Sequence, residues 1–146
     1  MSVTTEDIAE AVTQLWADAA ALSDPTTGLV KSMVMGRVPD QAVSPYASFK
    51  VTDGAVNRNA TFAYMQAFTV EFKTWDESGA ANAGAIKAAI ETAFVLGHTV
   101  LSLGSGRTLN ILHSIKAPGA LEEDEATRQS QAVKISTDRF EFLCQG

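Results

Sequence analysis

The sequence predicts an α/β (α+β) domain, a largely antiparallel twisted sheet of four to five strands with two helices packed against it. Three observations carry this prediction. Apolar residues recur at helical spacing in two segments, they alternate with polar ones in several others, and turn formers separate the two kinds of segment. With 146 residues the chain has the usual size of one core, so 1–146 is expected to form a single domain.

Thr4 or Thr5 supplies a helix cap, and Glu6, Asp7 and Glu10 suit the positive end of the helix. Ile8, Val12, Leu15, Trp16, Ala19 and Leu22 then form one apolar face, broken at Ser23-Asp24-Pro25 and closed by Gly28. A strand is expected from Leu29 to Val38, and a loop from Val38 to Pro45 with Pro39 and Pro45 at its ends. Tyr46 to Thr52 alternates as a second strand ending at Asp53-Gly54. Ala60 to Trp75 is the clearest strand: Phe62, Tyr64, Phe68, Val70 and Phe72 share a core face, while Thr61, Thr69, Glu71 and Lys73 share the other. Its length leads us to expect a bend or bulge near Gln66.

After a loop to Ala80, the residues Ala83, Ile86, Ala89, Ile90, Ala93 and Phe94 predict an amphipathic helix stopped by Gly97. Val100-Leu101 reads as a short strand. Leu109, Ile111, His113 and Ile115 alternate with polar residues as another. Pro118-Gly119 opens a polar loop through Glu122, Glu123, Asp124 and Glu125. Ala132 to Cys144 closes the chain as a strand, with a bulge expected between Val133/Ile135 and Phe140/Phe142 because their parity differs.

A hydrophobic share of 46% and a charged share of 19% mark a globular chain and not a disordered one. The net charge of −6 and the scattered Lys and Arg exclude nucleic-acid binding by phosphate neutralisation and disfavour anionic membranes. No apolar run is long enough to cross a bilayer, and the opening residues lack the pattern of a secretory signal. Cys144 is the single cysteine, which suits a reducing compartment, and without a secretory signal the sequon Asn59-Ala60-Thr61 reads as accidental.

Sites of chemistry are expected to be absent. His98 and His113 stand far apart, and the parity of His113 makes it a half-buried structural residue, not a metal ligand. Leu103-Gly104-Ser105-Gly106-Arg107 lacks the lysine and the helix of a phosphate cradle, and lacks the outer glycines of a nucleophile elbow. It reads as a tight β connection. The run Glu122 to Glu125 has neither the ligand spacing nor the pivotal glycine of a calcium loop, and reads as a solvated tip or a contact with a partner. No catalytic, metal or cofactor residue is assigned.

The order of these parts carries a resemblance. An N-terminal helix precedes a loop closing on Pro45-Tyr46, then an aromatic strand ending Phe68-Thr69-Val70-Glu71-Phe72-Lys73-Thr74-Trp75. The alanine-rich helix follows, and the last strand ends in Arg139-Phe140-Glu141-Phe142. This order resembles the tail terminator (tail completion) proteins of long-tailed bacteriophages and gene transfer agents, although the acidic excursion is longer than in that pattern. The resemblance covers nearly the whole chain and rests on order and residue type. It implies a structural, non-catalytic virion protein at the head–tail junction, assembled in the host cytoplasm. Its partners would be its own copies in a ring, commonly a hexamer, the tail tube protein, a head or neck connector, and DNA passing without specific binding. It needs no cofactor and no membrane.

On this chain the expected interface comprises Thr61, Thr69, Glu71, Lys73, Val38, Pro39, Pro45 and Tyr46, with Glu122 to Glu125 as a channel or partner loop. The alternatives are another head–tail joining or minor tail protein, and, from another class, a small-ligand-binding α/β domain or enzyme. The latter requires a deep cleft with convergent polar groups, where this sequence places mainly Ala, Ile and Phe.

Overall fold

A computed structural model describes residues 3–36, 44–57, 65–76, 80–117, 122–128 and 131–145. The elements in chain order are α1 (Thr5–Asp18), α2 (Ala20–Ser23), β1 (Ser32–Met35), β2 (Tyr46–Asn57), β3 (Met65–Asp76), α3 (Ala80–Phe94), β4 (Thr99–Ser102), β5 (Thr108–Lys116), β6 (Glu122–Arg128) and β7 (Gln131–Gln145). Among the described residues seven strands, more than the four to five expected, make one sheet in the order β1-β2-β3-β7-β5-β4, with β6 also paired to β7. Of these pairings only that of β1 with β2 is parallel. The α+β class and the largely antiparallel sheet are as the sequence predicts.

Thr4 caps α1: its hydroxyl accepts from the Asp7 amide while the Asp7 carboxylate accepts from the Thr4 amide, a reciprocal box that satisfies two orphan donors. Ile8, Ala11, Val12 and Trp16 bury one face. The expected continuous helix to Leu22 is broken at Ala19, after which the single turn α2 buries Leu22. Gly28 then packs where no side chain fits, because a Cβ would stand 2.5 Å from the Asp24 carbonyl oxygen and 2.6 Å from that of Leu22.

α3 and α1 cover the inner sheet face, where Phe72 joins the layers. Its ring lies 4.6 Å from that of Phe94, 5.7 Å from Trp16 and 6.0 Å from Phe140, centroid to centroid. Phe68, Val70 and Phe72 of β3 and their neighbours Phe140 and Phe142 of β7 are all buried, as alternation along the two paired strands requires. α1 also reaches the β4–β5 turn, through Gln14 Nε2 donating to the Ser102 carbonyl and an Arg107–Asp7 ion pair of 3.0 Å. The opposite ends of the sheet, β1 and β4, therefore curl towards the same helix.

Several local expectations are corrected. β1 is shorter than Leu29–Val38, and Val38 lies outside the described residues. β2 continues past Asp53-Gly54 to Asn57, and the irregularity falls on it: Gly54 and Ala55 together oppose Ala67 of β3. β3 itself stays regular near Gln66, because the extra residue belongs to its partner. α3 begins at Ala80, where a loop was expected to end.

β5 carries a bulge that alternation alone does not reveal. Ile111 pairs with Cys144 and His113 with Leu143, so Leu112 is the inserted residue and every later side chain changes face. His113 and Ile115 are exposed, contrary to the half-buried structural role expected for His113, and Ser114 is buried instead. β7 has no bulge in its register with β3. Ile135 faces away from Phe140 and Phe142, and the inner positions at that end are Ser136 and Asp138. Finally, Glu122 to Glu125 is no loop. It begins β6, paired with β7 from Glu122↔Thr137 to Arg128↔Gln131. Acidic residues disfavour interior strands but are tolerated on an edge, where they discourage unwanted pairing.

Candidate assembly surfaces

The outer sheet face is built from the positions of β2, β3 and β7 that alternate with the core. Lys50, Glu71 and Arg139 form one cross-strand row, and Ser48, Lys73 and Thr137 the next. Glu71 accepts from Arg139 Nε at 2.6 Å and stands 3.6 Å from Lys50 Nζ. Burial pushes the Glu71 carboxyl up, but the Arg139 hydrogen bond and the charges of Lys50 and Arg139 outweigh it and hold it below its ordinary value. Lys73 is exposed, and neither of its register partners is charged. Gly36, Ser48, Phe49, Lys50, Glu71 and Lys73 line a depression of about 280 Å³.

At one end of this face the Tyr46 ring stacks on Trp75 at 5.4 Å, and Tyr46 is buried, so little of it is left to meet a neighbour. At the other end Thr69 pairs with Glu141, beside the exposed Ile115. Pro45 accepts from the Lys31 amide at 2.7 Å and fixes the start of β2 beside β1. The structure thus brings Thr69, Glu71 and Lys73 together on one face and places Tyr46 and Pro45 at its margin. Val38, Pro39 and Thr61 lie outside the described residues. The backbone of Glu122, Glu123, Asp124 and Glu125 stands beyond β7 at a sheet edge.

Two further features escaped sequence reading. A groove of about 460 Å³ runs between α1 and β1, lined by Ala9, Thr13, Ala17, Met33, Met35 and Phe49, with Met35 59% exposed. Ala9 and Ala17 on the helix and flexible methionines on the edge strand leave it mainly apolar, with Glu10 and Gln14 as its polar lining from α1. Only the pairing of β1 with β2 places Met35 beside Phe49, so no local pattern announces it.

The second feature is a buried polar cluster: Thr74, Ser136 and Asp138 below α3, with Lys87 Nζ 3.6 Å from Asp138 Oδ1. That separation makes an ion pair without a hydrogen bond, and both atoms lack a hydrogen-bond partner among the described residues. Burial raises the Asp138 carboxyl above its ordinary value, against the opposing charges of Lys87 and Lys116. Among the described residues no three His, Cys, Asp or Glu converge as a metal site. The Gly104-Ser105-Gly106 turn is the tight connection expected. Its Ser105 amide and hydroxyl donate to the Glu10 carboxylate at 3.2 and 3.4 Å, so the chain's own side chain occupies the place of an anion.

No family model matches the chain, and no curated protein matches it. Among solved structures, a chain in the virion of a native gene transfer agent particle is similar, with a TM-score of 0.61 and 20% identity. The similarity covers 99% of this chain and 100% of that one. The two share a fold from end to end. At this identity the comparison speaks for the fold, and the residues of the outer face must be argued from their own chemistry.

Proposed function

We propose that this chain is a virion-assembly subunit, a structural and non-catalytic protein of the tail terminator kind. In this reading identical copies form a ring, six in the resembling family, that ends the tail tube and presents a docking surface to the head's neck. The observation that carries it is the full-length match of fold to a gene transfer agent virion chain, with neither chain leaving a domain unmatched. A filled aromatic core and the charged cross-strand row Lys50–Glu71–Arg139 on the outer face support the same reading. Head-to-tail contacts between such faces close into a ring when the rotation per subunit allows. The net charge of −6 suits a passage through which DNA slides without phosphate contacts.

The deciding experiment incubates the protein with polymerising tail-tube protein. Tubes capped at one end and uniform in length are expected, and absence of any binding to tubes overturns the reading. Location within particles separates the closest rival: a position at the tube–head junction fits a terminator, whereas one at the distal tip identifies a different tail subunit.

A further inference from the structure

We propose that Lys87 and Asp138 condense in the folded chain, joining α3 to β7 by a side-chain amide bond. The inference is independent of the assembly reading and concerns the buried polar cluster beneath α3.

The pair is close but unfinished. Lys87 Nζ stands 3.6 Å from Asp138 Oδ1, and the Asp138 side chain is 1% exposed. A charge-assisted hydrogen bond would close that distance to about 2.7–2.9 Å. Here none forms, and each of the two atoms is buried with no hydrogen-bond partner among the described residues. Two charges held in this way bear the cost of desolvation without the hydrogen bonds that normally offset it. Their surroundings are apolar. Phe72, the register partner of Asp138, and Phe140, two positions along β7, are both fully buried.

Condensation removes both charges. Burial already favours the uncharged carboxyl of Asp138, which is raised above its ordinary value. Passage of one proton from the Lys87 ammonium to the Asp138 carboxylate leaves an amine beside a carboxylic acid. The amine nitrogen attacks Cγ of Asp138, the C–OH bond breaks, and one amine proton leaves with the hydroxyl as water. One C–N bond replaces one C–O bond, and no oxidant, reductant or other reactant is required. Two packed elements hold the reacting groups together, so the encounter is intramolecular. Lys116 pairs with Glu91, and its charge bears on Asp138, where it would stabilise the oxyanion formed as Cγ becomes tetrahedral. Glu91 lies one helical turn from Lys87 and offers a base for the departing proton. A carboxyl group is a slow electrophile, so the freshly folded chain holds the free ion pair and the amide accumulates afterwards.

Intact-mass spectrometry of the full chain, denatured after prolonged incubation in the folded state, reads the bond directly. The mass should fall by one water molecule, and a tryptic digest should contain a branched peptide joining Lys87 to Asp138. Chain held in urea for the same time should keep its full mass, because only packing brings the two groups together. Lys87→Arg and Asp138→Ala should each abolish the loss. Asp138→Asn keeps an acyl acceptor and should shed ammonia in place of water, which identifies the carbon attacked and serves if Asp138→Ala unfolds the chain. Dehydration at Asp53-Gly54 would also lighten the chain by one water, but it yields no branched peptide. Full sequence mass in the aged wild-type chain, or a lost water that maps anywhere but Lys87 and Asp138, overturns the proposal and leaves the pair a free salt bridge.

Discussion

At the scale of single residues, the bulge at Leu112 has the clearest consequence. It turns Ser114 inward, where its hydroxyl donates to the Phe94 carbonyl and accepts from the Leu96 amide at 2.8 Å. Ser114 thereby satisfies the end of α3, a task the sequence reading assigned to Gly97. Replacing Ser114 with Ala should cost about 1–3 kcal/mol in urea unfolding, because two buried backbone groups lose their partner. Gly28→Ala should cost a similar amount, about 1–3 kcal/mol, since its methyl would meet fixed carbonyl oxygens and not a yielding side chain. Cys144 is fully buried, and burial pushes its thiol up to about 12. It should stay unreactive towards a thiol reagent at neutral pH until denaturant unfolds the chain.

At the scale of elements, α3 and β7 meet through both an aromatic contact and an ion pair, and these respond differently to mutation. Phe72→Ala removes the ring that touches Trp16, Phe94 and Phe140, and should cost about 3–5 kcal/mol in chemical denaturation. Asp138→Ala should cost about 3 kcal/mol by leaving Lys87 buried without its counter-charge, whereas Lys87→Met combined with Asp138→Leu should recover most of that loss. A double-mutant cycle measures the difference. If the double variant is as unstable as the single, packing and not charge governs the site. The row Lys50–Glu71–Arg139 carries a pH dependence of definite sign. Glu71 titrates below its ordinary value of 4.5 when folded, so its stabilisation is complete above that value and is lost as pH falls through the folded one. Wild type should lose stability in that acid window more steeply than Glu71→Gln, as thermal unfolding at stepped pH would show. Asp138, displaced upward, works in the opposite sense and favours the folded state as it takes up its proton.

At the scale of the whole molecule, the curled sheet buries an apolar side against α1 and α3, and its other side carries the charged row Lys50–Glu71–Arg139 beside the stacked pair Tyr46–Trp75. In the ring reading proposed above, rings whose contacts use exposed charges such as Lys50 and Lys73 should dissociate as salt rises, since such interactions are screened beyond roughly a Debye length of 8–10 Å near physiological ionic strength. Ring fraction against sodium chloride measures this. The folded chain, held by its aromatic core, should keep its melting temperature over the same range.

The class of fold, the N-terminal cap of the first helix, the core faces of both helices, and the alternation of β3 were legible in the sequence, because each depends on residues within a few positions of one another. Thr4 to Asp7 closes a local box, and Phe68, Val70 and Phe72 turn inward by parity alone. The same alternation placed Thr69, Glu71 and Lys73 on one outer face. Pairing decided the rest. Glu122 to Glu125 resembles a loop until β7 supplies hydrogen-bond partners, and the exposure of His113 follows from a single extra residue opposite Cys144 and Leu143. Likewise, Lys87 and Asp138 are 51 positions apart, and only the packing of α3 on β7 makes them a pair. Periodicity records which side of its own element a residue occupies. Register and edge belong to two strands at once, and those the tertiary structure alone determines.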